Sequence, residues 1–317
     1  MRKILSYSLT ALAAAMLVAC MDGHDEPAPD GRTRLVLTGT IGRQGNTRAA
    51  NGLMDAFSNT PVDVYMYTAT ERVGSWPLTY TVAADGTMTP PNGPVYLPDN
   101  IDEDGVSVYA IYPSGTTVNA DGTVSLTVKS NQNADADYLA SDLLFARTDA
   151  PKTDAVGNVI SKTLTFNHMM AKILINVALQ PEGHKLYDIG IANVYRTVSL
   201  TPSTYKFDYS LAELTSTQPV GEADLIWVYK SEDGIEGIQN QAALIAPQHF
   251  GEANQEKRFI CMNTSAGIAW YAISGEVDFL PGCTYQLNLL VHTDAIGTVS
   301  VIHSWEIEKN EEKELNL

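Results

Sequence analysis

The chain has 317 residues, enough for about two domains with real cores at roughly 150 residues each. Hydrophobic residues make up 44%, which excludes a disordered chain, and 20 Lys and Arg stand against 37 Asp and Glu, a formal net charge of −17. No basic cluster follows the first three residues, so a nucleic-acid surface is excluded, and the 15 Tyr with recurrent Val, Thr and Ile between Gly and Pro fit an extracellular β protein.

At the N-terminus, Arg2 and Lys3 precede an apolar stretch from Leu9 to Val18, too short for a typical membrane span and of signal-peptide form. Leu17-Val18-Ala19-Cys20 resembles the lipobox of bacterial lipoproteins. That resemblance implies removal of residues 1–19 and acylation of Cys20, with the two or more chains that stable anchoring requires. The acidic, Pro-containing stretch from Met21 to Asp30 reads as a tether, and it also resembles a surface-export signal of Bacteroidetes-type lipoproteins.

Arg34 to Ile41 alternates, with Leu35, Leu37 and Ile41 on one face and Gly39 between them, and reads as a strand with one buried side. Gly42 to Gly52 is polar and Gly-rich and reads as an exposed loop containing Arg43 and Arg48. Strands are expected at Pro61–Thr68, Leu78–Val82, Val106–Tyr112 and Leu143–Ala146, with a hairpin in Val118–Val128. Leu164–Leu179 is the longest apolar run. Beyond Gln180-Pro181-Glu182-Gly183, strands are expected at Leu186–Val194, Thr197–Thr201, Ala223–Tyr229, Gln241–Ile245, Arg258–Met262, Trp270–Ile273, Thr284–His292 and Val299–Ile307. This spacing predicts an all-β fold, two β-sandwiches in tandem with a boundary near residues 180–183, and a little helix near Met54–Phe57 or Asp137–Leu144.

Enzymatic signatures are missing: there is no P-loop, no G-x-G-x-x-G, no G-x-S-x-G and no H-E-x-x-H, and the six His show no ligand spacing. No catalytic residue, cofactor or metal site is therefore expected. Asn100–Gly105 matches half of an EF-hand loop, but Ile111 occupies the position that needs a bidentate Glu, so it reads as an acidic turn. Cys261 and Cys283 suit either a disulfide or two separate thiols. Trp76, Trp227, Trp270 and Trp305 could stack on sugar, and burial between sheets is the favoured reading. His168 reads as a satisfied core histidine, with Lys172 reaching outward to the sheet edge.

Several segments in order resemble the fimbrillin-like (Mfa-like) type V pilins. They are the lipobox, Asn46-Thr47-Arg48-Ala49, Phe57–Tyr65, Val108–Pro113, Ser141–Ala146, Leu164–Ile175 with Phe166, His168, Ala171 and Lys172, then Ala246-Pro247-Gln248, Tyr285–Val291 and Trp305. The resemblance implies two transthyretin-like sandwiches, residues 49–180 and 181–317, behind a cleavable segment, residues 20–48. It also implies cutting after an Arg, at Arg48-Ala49 or else Arg43. The cut removes the strand of Leu35, Leu37 and Ile41, and a strand of another subunit fills the opened groove. On this reading Val299, Val301, Trp305 and Ile307 form the donor face. The implied partners are other pilin subunits and, through the precursor's lipid, the outer membrane at the cell surface. A tip adhesin or lipid-anchored module that binds host glycans or proteins is the alternative.

Overall fold

In the computed structural model the described residues are 31–42, 56–68, 72–73, 76–99, 101–119, 123–200, 225–293 and 299–308, the last ten as backbone. Cys20, Arg43, Arg48 and Ala49 lie outside them.

The strands of the first half are β1 (Arg34–Ile41), β2 (Thr60–Tyr67), β3 (Leu78–Val82), β4 (Met88–Thr89), β5 (Val95–Tyr96), β6 (Val106–Tyr112), β7 (Thr117–Val118) and β8 (Val124–Thr127). One helical turn, α1 (Asp135–Leu139), precedes β9 (Leu144–Ala150), β10 (Val159–His168), β11 (Ala171–Gln180), β12 (Leu186–Ile191) and β13 (Thr197–Leu200). Then come β14 (Ile226–Ile235), β15 (Gly237–Ile245), β16 (Gln248–Phe250), β17 (Glu256–Thr264), β18 (Gly267–Ser274), β19 (Val277–Phe279), β20 (Thr284–Thr293) and β21 (Val299–Glu308). The all-β expectation holds, and α1 begins within two residues of the expected turn. The apolar run at 164–179 resolves into β10 and β11, broken at Met169-Met170. The short strands β4, β5, β16 and β19 were not legible, because two or three residues carry no period.

Eight strands form one sheet in the order β4-β3-β2-β6-β9-β10-β1-β5. Its inner face holds a first core with Leu35, Leu37, Val62, Val64, Met66, Val108, Ala110, Leu144, Leu164 and Phe166. The opposite face of the same central strands contributes Tyr65, Tyr109, Ile111 and Phe145 to a second core. Burial on both faces explains why Val-Tyr-Met-Tyr and Val-Tyr-Ala-Ile-Tyr lack polar alternation.

Two four-stranded sheets, β15-β11-β20-β21 and β14-β12-β17-β18, share the second core. β11 is parallel to β20 over nine paired residues and antiparallel to β15. The apolar cores change hands between Phe166 and Met169, so all of β11 packs in the second. The Gln180–Gly183 turn lies between two strands of that second core, β11 and β12. Among its members Phe250, Phe259, Phe279 and Tyr285 form an aromatic knot with ring centroids 5.0–6.0 Å apart. The Tyr285 hydroxyl donates to the Asp278 carbonyl at 2.7 Å, and burial pushes its pKa up to about 12.

Buried polar groups tie these layers. Asp63 on β2 accepts from Thr79 Oγ1 at 2.7 Å, Ser114 Oγ at 2.8 Å and the Gly115 N–H at 2.6 Å, which pins the turn after β6. The Gln132 amide donates to the Leu244 carbonyl and accepts from the Leu244 N–H, both at 2.8 Å, and so imitates a neighbouring strand at the edge of β15. His168, at the end of β10, sets Nδ1 3.0 and 2.9 Å from the two Asp142 carboxylate oxygens, with both side chains buried. The core-histidine reading of His168 therefore holds. Lys172 departs from expectation: it is 5% exposed, because β11 lies between β15 and β20 and offers no nearby sheet edge.

Two outcomes follow. His168→Ala or Asp142→Ala leaves the other group buried without this partner and should cost about 1–3 kcal/mol in urea unfolding, with the double variant costing less than the sum. On the outward side of the β16–β19 pair, His249 Nδ1 lies 2.7 Å from Asp278 Oδ1, and that hydrogen bond raises the His249 pKa above the ordinary histidine value. A raised folded-state pKa contributes stability that is present below the ordinary value and lost as pH rises through the folded value. An NMR titration should find His249 high in the intact protein and lower in Asp278→Asn.

Candidate assembly site at the first strand

β1 is held from both sides by strands far away in sequence. Along one edge it runs parallel to β10, from Arg34 opposite Val159 to Ile41 opposite Phe166. Along the other, Arg34 and Leu35 pair with Tyr96 and Val95 of β5, and Thr38 bridges to Thr87 beside β4. The eight-stranded sheet therefore curls until β1 reaches the far end of the same sheet. The ladder is extended by Arg34 N–H to the Asn158 carbonyl at 2.7 Å, Leu97 N–H to the Thr33 carbonyl at 2.9 Å and Gly42 N–H to the Phe166 carbonyl at 2.7 Å.

Alternation puts Leu35, Leu37 and Gly39 inside, with Thr38 and Thr40 exposed and Ile41 half-buried against the first core. The face read from the sequence is the face observed. Burial of the two leucines contributes roughly 1.5–3 kcal/mol each. The inward glycine is set by its surroundings: a Cβ there would lie 3.2 Å from the Phe166 ring and 3.3 Å from both Met88 Sδ and Val82 Cγ1. On the backbone side, the Gly39 N–H donates to the Gly86 carbonyl at 2.7 Å. Gly86 has φ +86°, and a Cβ on it would stand 2.5 Å from the Gly39 carbonyl oxygen. Sequence reading saw Gly39 only as a gap in an apolar face. Nothing local in the sequence marks Gly86, about 47 residues on, as its partner.

The segment after β1 leaves from Gly42, tied to Phe166, and the described chain resumes before Phe57. Phe57 is buried and meets the Phe166 ring edge-on at 5.1 Å. Phe166 thus anchors both ends of the segment that carries Arg43, Arg48 and Ala49.

β21 sits at the edge of its own sheet and pairs antiparallel with β20 over ten residues. Val299, Val301, Trp305 and Ile307 stand opposite Thr293, Val291, Leu287 and Tyr285. Among the described residues no strand pairs with its outer edge. The structure does not bring β21 to β1.

Cys261, on β17, and Cys283, just before β20, belong to different sheets and are not joined by a disulfide. Cys261 faces outward between Gly190 and Trp270, and partial burial pushes its thiol pKa up. Trp76 is a core residue stacked on Tyr80. Trp227 and Trp270 depart from the favoured core reading: both are half-buried, and each ring carries a cation, Lys230 at 4.5 Å and Arg258 at 5.0 Å. The Trp305 side chain lies outside the described structure. Among the described residues no group of three or more His, Cys, Asp or Glu could hold a metal ion.

The fold is similar to three solved structures. A candidate cell adhesion protein of Bacteroides uniformis ATCC 8492 matches with a TM-score of 0.56 at 18% identity, over 88% of this chain and 99% of that one. One of Bacteroides ovatus ATCC 8483 matches with 0.58 at 15%, over 87% and 97%. One of Bacteroides fragilis NCTC 9343 matches with 0.50 at 12%, over 90% and 100%. No curated protein sequence matches the chain. The profile of the fimbrillin-like proteins matches residues 47–305, from the segment after β1 to within β21, and the chain belongs to the fimbrillin-like family.

Proposed function

We propose that this protein is a fimbrial subunit of the type V pilus kind, exported as a lipoprotein on Cys20, cut after Arg48 and polymerised when a strand of another subunit takes the place of β1. Family membership supports the fimbrial role, and the names of the structural relatives agree with a role in cell adhesion. The observation that carries the assembly step is the position of β1. It is the first strand of the described chain, it pairs with distant strands on both sides, and it sends Leu35 and Leu37 into the core. A cut after Arg48, or after Arg43, frees it from the rest of the molecule. Its loss leaves the eight backbone positions of β10 that face it without their partners, above an apolar trough, and such an edge is a template for strand addition.

The same cut separates Cys20 and its lipid from the mature chain, so release from the outer membrane and opening of the trough become one event. In this reading residues 1–19 are the signal, 20–48 the tether with the removable strand, and 49–180 and 181–317 the two sandwiches. The apolar cores divide earlier, between Phe166 and Met169, so β11 works with the second unit. The protein acts mechanically, without catalysis, at the cell surface in the fimbrium.

One observation favours a second role within this reading. β21 is engaged along its length with β20, and a strand so engaged must first detach to serve as a donor. A tip adhesin that presents its loops to host glycans or proteins needs only the acceptor trough.

The test is protease treatment of membranes that carry the full-length precursor. Wild type should lose residues 1–48, leave the membrane and form heat-stable oligomers. Arg48→Ala should stay membrane-bound and monomeric, or be cut at Arg43 with Gln44 as its N-terminus. Cys20→Ala should lose acyl labelling. Fibres whose subunits still begin at Cys20 would overturn the maturation step. Immunogold along filaments marks a stalk subunit, and gold confined to their ends marks a tip.

A further inference from the structure

We infer that the place held by Gly39 is a size gate that decides which strand can replace β1, and that it excludes β21 of a second copy in favour of a strand from a different chain. The inference rests on the strand-replacement reading above.

The trough under β1 has four places, now filled by Leu35, Leu37, Gly39 and Ile41. At the third, Phe166, Met88 and Val82 leave no room for a side chain without yielding, with contacts of 3.2–3.3 Å to a single added carbon. The strand is tied along both of its edges at this place. Its backbone is drawn in by the 2.7 Å bond from Gly39 N–H to the Gly86 carbonyl, while β10 holds it along the other edge. An incoming strand parallel to β10 must therefore read large-x-large-x-small, glycine fitting best, with an apolar residue two further on.

No window of β21 offers that order. Val299, Val301 and His303 put an imidazole at the gate, and Val301, His303 and Trp305 put an indole there. Only Ser300, Ile302 and Ser304 bring a small third residue. That window leaves Ser in the first place and sets Glu306 where Ile41 meets the core. Read in the opposite direction, Ser304 at the gate puts Glu306 and Glu308 in the two leucine places, and Ser300 at the gate puts Ser304 in the first of them, where a leucine's apolar burial is lost. A carboxylate buried there would have no compensating charge among the apolar residues of the first core. The occupant is thus a strand of another subunit type carrying the β1-like pattern, and the fibre is mixed at this joint.

The full-length protein, nicked in the segment between β1 and β2, is mixed with labelled peptides and followed by fluorescence polarisation. The peptide of Arg34–Ile41 should exchange with the resident strand. The same peptide with Gly39→Val should bind weaker by on the order of tenfold or more, as overpacking predicts, and the peptide of Val299–Glu308 should not enter. In the intact chain Gly39→Val should lower the melting temperature, while Thr40→Val, on the exposed face, should not. Entry of the Val299–Glu308 peptide or of the Gly39→Val peptide as tight as that of Arg34–Ile41 overturns the gate. An unchanged melting temperature in Gly39→Val overturns it as well. If no peptide enters, Arg34–Ile41 included, strand replacement itself falls and the selection with it, whatever the melting shows.

Discussion

The parallel ladder between β1 and β10 is the constraint on which the first half of the molecule depends. Its partners lie about 125 residues apart, as the Thr38–Thr163 hydroxyl contact at 2.9 Å illustrates. No short turn can set such a register, so it must be set by fit. Leu35 and Leu37 find the core, Gly39 passes between Phe166 and Gly86, and a shift of one residue would turn threonines inward. What closes the sheet is thus held by shape complementarity and backbone bonds rather than by the chain's own continuity. For that reason an equivalent strand supplied from elsewhere can satisfy the same contacts.

The rest of the sheet is built to stand behind this closure. β2, β6 and β9 are covered on both faces, one by the first core and the other by the second. Asp63 fastens β2 to the turn after β6, and His168 with Asp142 closes the passage from β10 toward β11. These buried, satisfied polar groups fix orientation where apolar packing alone would tolerate sliding. The central strands are accordingly the least replaceable part of the fold, and the strand at its margin is the most.

Edges elsewhere are handled differently. The Gln132 side chain occupies β15 at Leu244, and Gln241 Nε2 of β15 reaches the Val228 carbonyl of β14 at 2.8 Å, so each of these two edge strands is partly sealed by a glutamine amide. On the outer face of β14-β12-β17-β18, Lys230 and Arg258 lie over the two half-buried tryptophans and keep the apolar rings from presenting a bare patch. A chain meant to assemble through one chosen strand has reason to blunt the others.

By itself the sequence determined the fold class, the place of most strands longer than four residues, the alternating face of β1 and the family. Each of these is written in local periodicity or in ordered short motifs. Leu35-x-Leu37 within Arg34–Ile41 is legible because a period of two needs only neighbours. What only the tertiary structure decided depends on residues brought together across the chain. It made β1 parallel to β10, gave Gly39 its meaning through Phe166 and Gly86, and separated Cys261 from Cys283 into different sheets. It placed Trp227 and Trp270 on an outer face beneath cations, and it buried Lys172 because β11 is an interior strand. A side chain's neighbours along the chain set its conformation, but its partners are set by sheet order, and sheet order is a property of the whole closed structure.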